Sequence, residues 1–135
     1  MGSSKSETIE AANRALLVDG DLDAVDQFFS DGYVAHVTGQ DLRGGHAAIR
    51  EVLQATRKAF PELEVTVEIL LEGDDRVAWQ RLHRGAHQAA YGGFPGSGRE
   101  VVWRDLVVSR FDGDRIAEEW VVTDLAERLL RSRKG

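Results

Sequence analysis

Cysteine is missing from all 135 residues, which removes disulfide pairing and thiolate nucleophiles from the available chemistry. Long apolar runs are missing as well. Nothing after Met1-Gly2-Ser3-Ser4-Lys5 has the apolar stretch of a signal peptide or the roughly 20 apolar residues of a membrane span. A soluble cytoplasmic protein with no membrane partner is the expectation. Cations are in the minority, with 17 Lys and Arg against 23 Asp and Glu and a formal net charge of -6. Phosphate backbones need clustered cations, so no nucleic-acid partner is expected either. The one basic run, Arg128 to Lys134, reads as a solvated helix end whose charges complement the helix dipole.

What is present fits a single domain over residues 1–135, with residues 1–5 expected to be disordered or left over from cloning. An apolar content of 42% is enough for one core. Ser4 and Glu7 have capping-box spacing ahead of Ile9, Ala12, Leu16 and Leu17, which recur with helical period until Asp19-Gly20. Asn13 falls on that apolar stripe, either as a satisfied core amide or as a polar group lining a pocket. Asp21 opens a short second helix over Leu22, Val25, Phe28 and Phe29. Tyr33 to Val37 reads as a strand carrying His36, which is open to a structural or a ligand-binding role. After Gly39 and Gly44-Gly45, the residues Ile49, Val52, Leu53, Ala59 and Phe60 mark the clearest helix, ended by Pro61.

Beyond Pro61 the period changes to two. Leu63, Val65, Val67, Ile69 and Leu71 form one face, and Gly73-Asp74-Asp75 turns the chain into Val77 to His87 as an antiparallel hairpin. In that second strand Val77, Trp79, Arg81, His83, Gly85 and His87 share a side. The side either enters the core, taking a basic and imidazole-bearing wall with it, or lies on an exposed twist; parity leaves both open. Gly92 to Gly98 is a loop that lacks the flanking strand and helix of a phosphate-binding motif. Val101 to Phe111 is a third long strand, placing Asp105 beside Val101, Trp103 and Val107. After Asp112-Gly113-Asp114 the last strand runs from Ile116 to Asp124. Strict alternation puts Ile116, Glu118, Trp120, Val122 and Asp124 on one side. Asp124 is therefore expected in a cavity among large apolar groups.

Helices followed by long antiparallel strands predict an α+β fold, a cone-shaped curved sheet wrapped around the N-terminal helices. Polar groups on the concave face would converge in a partly apolar pocket, the ordinary setting of a ligand site.

Five segments, in this order and spacing, resemble the SnoaL-like polyketide cyclase family of the nuclear transport factor 2-like superfamily. They are Asp31-Gly32-Tyr33-Val34-Ala35-His36, the helix from Gly45 to Phe60, Gly85-Ala86-His87 with the loop Gly93 to Arg99, Arg110 to Ile116, and Glu118 to Asp124. The resemblance implies a cone-shaped α+β barrel, a homodimer, and cofactor-free ring closure by intramolecular aldol condensation of a small hydrophobic or aromatic polyketide-like molecule. It puts the acid/base aspartate on Asp124 and pocket histidines on His36 and His87. The chain departs from the family pattern at Ala86, at Ala89-Ala90 and at the charged Trp103-Arg104-Asp105.

Ring closure of this kind needs a base to take a proton from a carbon flanked by carbonyls and an acid to return it to the new alkoxide. A single carboxyl group can do both if desolvation raises its pKa, and Asp124 is the expected one. His87 or His83 would polarise the carbonyl that becomes an enolate. Trp120, Trp103 and Phe94 would hold a planar substrate, with Trp79, Arg81, His36 and Asn13 as further contacts. No metal and no cofactor are expected: His83 and His87 are four apart, but on a strand that spacing does not bring them together. Two alternatives remain. One is water addition, as in limonene epoxide hydrolase-like members of the fold, by Asp105, Asp124 and Arg81 or Arg104. The other is a non-catalytic small-molecule carrier or dimerisation module, since a fold alone does not imply chemistry.

Overall fold

The computed structural model describes residues 4–134. Residues 1–3 of the leader lie outside the described residues, whereas Lys5 already belongs to the first helix, α1 (Lys5–Asn13). Ser4 caps it as its spacing predicted, its side chain accepting from the Glu7 N–H at 3.1 Å. The helix then widens into a π-helical turn over Arg14–Val18, a type of irregularity that often accompanies functional sites. A 3-10 turn (Leu22–Ala24) and a four-residue helix, α2 (Val25–Phe28), follow. Next come β1 (Phe29–Val37), β2 (Gln40–Leu42) and α3 (Gly45–Ala59). Glycine at position 45 is required: its φ is +62°, and a Cβ there would stand 2.8 Å from the Asp31 carbonyl oxygen. The remaining elements are β3 (Glu64–Glu72), β4 (Arg76–Ala86), β5 (Glu100–Asp112), β6 (Arg115–Thr123) and α4 (Leu125–Lys134). No described helix is long and apolar enough to cross a membrane.

The strands form one six-stranded sheet in the order β2-β1-β6-β5-β4-β3. Only the β1–β6 pair is parallel. The helices α1 and α3 lie against its inner face, and Ile9, Leu16, Val25, Phe29, Ile49, Val77, Trp79, Val107 and Ile116 pack together there. Each fully buried member of this set contributes about 1.5 to 3 kcal/mol by leaving water. The open question about β4 is decided by this packing. Trp79 and His83 are 2% and 3% exposed, so the Arg81 and His83 side faces inward.

Besides a register shift between Phe29 and Val34 in the β1–β6 pair, shifts in β6 and β3 control which side chains the inner face displays. In β6, Phe111 pairs with Ile116 while Arg110 pairs with Glu118, so Ala117 is an extra residue on one strand only. One inserted residue reverses the alternation beyond it. Glu119, Val121 and Thr123 therefore join Ile116 on the inner side, opposite Ser109, Val107 and Asp105. Glu118, Trp120 and Val122 turn outward, contrary to the expectation from strict alternation. A second shift in β3, between Ile69 and Leu71, leaves Leu71 71% exposed where the sequence pattern had it buried.

Candidate functional site

Between the inner face of the sheet and the helices lies a hollow of about 230 Å³. Ile9, Leu16, Phe29, Ile49, Leu53 and Val121 make most of its wall apolar. Asn13 from α1, Arg81 and His83 from β4, Asp105 from β5 and Thr123 from β6 supply one group of polar side chains. The register explains their meeting, because Arg81 is the cross-strand partner of Asp105 and Asp105 that of Thr123.

Arg81 is the hub of this group. Its Nε and Nη2 donate to Asp105 Oδ2 at 3.2 and 2.8 Å, and its Nη1 donates to Asn13 Oδ1 at 2.9 Å. The Asn13 amide is itself fixed, because its Nδ2 donates to the Ile9 carbonyl at 2.8 Å. Asp105 is buried, and its second oxygen, Oδ1, has no hydrogen-bond partner. Burial pushes the Asp105 pKa up, but the charge of Arg81, with His83 and Thr123 beside it, holds the carboxyl below its ordinary range. His83 lies with Nε2 3.8 Å from Asp105 Oδ2 and its ring stacked on Trp103 at 4.3 Å. Burial, then the neighbouring Arg81 cation, lowers its pKa from 6.5 to about 3, so the imidazole is neutral at physiological pH.

A second polar group forms farther along β5. Trp79 Nε1 donates to Ser109 Oγ at 2.9 Å, and Ser109 Oγ donates to Glu119 Oε2. Tyr33 donates to the other oxygen, Oε1, at 2.5 Å. Burial and the adjacent Glu119 raise the Tyr33 pKa well above its ordinary value, so the phenol keeps the proton it donates. Tyr33, Trp79 and Glu119 all line the hollow.

Of the residues singled out from the sequence, the fold brings Asp105, Arg81, His83, Trp79, Trp103 and Asn13 into this hollow. It leaves out Asp124, His87, His36, Trp120 and Phe94. Asp124 follows the last outward-facing positions of β6 and precedes α4. One of its oxygens accepts from the Arg104 N–H at 2.8 Å and the other from Arg128 Nε at 3.1 Å, so it ties a helix start to the sheet. His36 lies on the outer face, between Asp41 at 3.0 Å and Glu118 at 2.7 Å and stacked on Trp120. Trp120 is covered on that face by Arg76, 5.1 Å from the ring. His87 lies just beyond the end of β4, 1% exposed and stacked on Phe60. Phe94 belongs to the β4–β5 loop, paired with Tyr91. Sequence reasoning missed Glu119, Tyr33, Ser109 and Thr123. Glu119 and Thr123 follow from reversing the β6 alternation once Ala117 is looped out, Ser109 from its parity with Asp105 and Val107 on β5, and Tyr33 from its parity with Ala35 and Val37 on β1.

Three comparisons bear on this geometry. Residues 7–130 match the family model described as SnoaL-like polyketide cyclase. Among solved structures, the chain is 27% identical to IdmH, a candidate polyketide cyclase of Streptomyces antibioticus, at TM-score 0.81 over 98% of this chain and 100% of that one. It is 26% identical to a candidate polyketide cyclase of Acidithiobacillus ferrooxidans, at TM-score 0.83 over 99% of each chain. It is 25% identical to AclR, a candidate hydroxylase of Streptomyces galilaeus, at TM-score 0.79 over 98% of this chain and 99% of that one. No curated protein matches at a significant level.

Proposed function

The chain belongs to the SnoaL-like polyketide cyclase family, and from that premise we propose that its hollow closes rings on a small polyketide-like substrate with Asp105 as the acid/base. The observation that carries this reading is the Asp105 carboxyl lining an apolar hollow, its Oδ1 without a hydrogen-bond partner while Oδ2 is held by Arg81. A carboxylate oxygen with a free lone pair is an acceptor for a proton on carbon.

The steps follow from the donors around it. Oδ1 takes a proton from a carbon between two carbonyls, and the bonding pair moves into an enolate. Arg81 has five N–H groups and uses three on Asp105 and Asn13, so two remain for the enolate oxygen. Neutral His83 polarises the carbonyl under attack, with Asp105 favouring the tautomer that carries hydrogen on Nε2. The enolate carbon bonds to that carbonyl carbon, and the resulting alkoxide takes the proton back from Asp105. The lowered pKa of Asp105 makes it a weak base, which limits the reaction to carbons already acidified by two carbonyls. Trp79 and Trp103 supply flat apolar surface for the substrate. No step calls for a cofactor or a metal.

Water addition is less well supported: Asp105 and Arg81 line the hollow, but Asp124, the second carboxylate it would draw on, does not. Pairing of two copies belongs to the same reading. Leu106 and Val122, cross-strand neighbours on the outer face, are 49% and 64% exposed and offer apolar area for it.

The test is enzyme-dependent exchange of the acidic carbon-bound hydrogen of 2-acetyl-1-tetralone, a compact 1,3-dicarbonyl, followed by NMR in deuterated buffer. Wild-type protein accelerates exchange, and Asp105→Asn loses at least about 100-fold of that acceleration. Exchange unaffected by Asp105→Asn, or no acceleration by wild type over a range of such dicarbonyls, favours the non-catalytic carrier.

A further inference from the structure

The proposed ring closure uses only the Arg81, Asp105 and His83 end of the hollow, leaving the Glu119 end without a task. That end is chemically unusual. Glu119 is 8% exposed and lines the hollow, and its two oxygens accept only from the hydroxyls of Tyr33 and Ser109. A carboxylate offers about four lone-pair sites, so acceptor capacity remains on each oxygen. Among the described residues, no Lys, Arg or His nitrogen pairs with Glu119 within 4.0 Å. Arg81, the nearby cation, is engaged by Asp105 and Asn13. A buried carboxylate without a cation is an expensive arrangement that proteins ordinarily relieve by pairing.

The surroundings match one kind of partner. Tyr33 meets Phe29 edge-on at 4.8 Å, and Trp79 is tied to Glu119 through Ser109. All three aromatic side chains line the hollow. Aromatic faces beside a carboxylate attract an alkylammonium group, through the ring quadrupole as well as the ion pair. Ser109 lies four residues beyond Asp105 on β5, roughly 13 Å at about 3.3 Å per residue. Two polar poles are thus separated by an apolar span. A volume of about 230 Å³ is below the range of roughly 300 to 1,000 Å³ typical of drug-sized ligands, so the guest is compact.

We infer that the substrate is a compact aromatic molecule bearing a protonated amine, with the ammonium held by Glu119 beside the Tyr33 and Phe29 pair and the reacting carbonyls at Asp105. This rests on the reading of the hollow as a substrate site and names the class of substrate it selects. The same charge distribution disfavours a guest with a free carboxylate at that end.

The experiment compares three probes of one bicyclic shape, 2-aminotetralin, tetralin-2-ol and tetralin-2-carboxylate, by isothermal titration calorimetry on the full chain. The amine binds at least about tenfold more tightly than the alcohol, and the carboxylate binds most weakly. Glu119→Gln, which keeps the shape but removes the charge and turns one acceptor oxygen into an NH2 donor, brings amine and alcohol within about twofold of each other. Amine and alcohol of equal affinity on the wild type, or an amine preference retained by Glu119→Gln, overturns the inference. Should Glu119→Gln fail to fold, chemical-shift changes in the wild type at the Trp79 and Ser109 amides, larger for amine than for alcohol, carry the same decision. Carbon-acid exchange that succeeds while the amine preference is missing sinks only this inference; failure of all three probes to bind sinks it together with the substrate-site reading.

Discussion

Arg81 directs two hydrogen bonds, 3.2 and 2.8 Å long, onto a single oxygen of Asp105 and none onto the other. The asymmetry gives one side chain two jobs. Oδ2 satisfies the half-buried Arg81 cation, and Oδ1 is left without a hydrogen-bond partner.

Removing Arg81 alone should therefore be severe. Arg81→Met leaves Asp105 as an uncompensated buried charge and is expected to cost about 3 to 5 kcal/mol at pH 7, read from urea unfolding. Adding Asp105→Leu to it should recover most of the loss, since no buried charge is then left alone. The pH dependence has a definite sign. Asp105 has a lowered pKa in the folded protein, so the pair's contribution is complete above the ordinary carboxylate range and is lost as pH falls through the lowered value. The gap between wild type and Arg81→Met should narrow at acid pH.

Asp105→Asn and Asp124→Asn should separate cleanly. Asp124 anchors the start of α4 through Arg104 and Arg128, so its replacement is expected to cost about 1 kcal/mol of stability. Turnover should stay within about threefold of wild type, whereas Asp105→Asn loses about 100-fold or more. Thermal unfolding and carbon-acid exchange, measured on both variants, check the contrast.

His83 predicts a second pH effect. With its folded pKa lowered from 6.5 to about 3, the unfolded chain binds more protons across that window. Stability should fall as pH drops below 6.5, by up to roughly 5 kcal/mol by the bottom of the window. His83→Phe retains stacking on Trp103 and removes the titration, so its urea midpoints between pH 7 and 4.5 should decline less than those of wild type.

Ser109→Ala leaves the Trp79 indole N–H without its acceptor and takes one donor from Glu119. The expected loss is about 1 to 3 kcal/mol. Unfolding curves and the tryptophan emission maximum report it.

The fold was legible because its signals are local or strictly periodic. Ser4 and Glu7 announced a cap, Pro61 a helix end, and the alternation in β4 and β5 placed Trp79, Arg81, Trp103 and Asp105 on common faces. Those faces survive unchanged in the structure, which is why half of the candidate site could be named in advance.

The sequence alone determined the order of the helices and long strands and which residues share a face on β4 and β5, since each depends on the spacing of neighbouring residues. Only the tertiary structure decided which carboxyl group enters the hollow. One looped-out residue, Ala117, turns Asp124 toward α4 and Glu119 inward. Such a bulge is fixed by pairing with Phe111 and Arg110 on a neighbouring strand, a relationship that the β6 side-chain pattern does not contain.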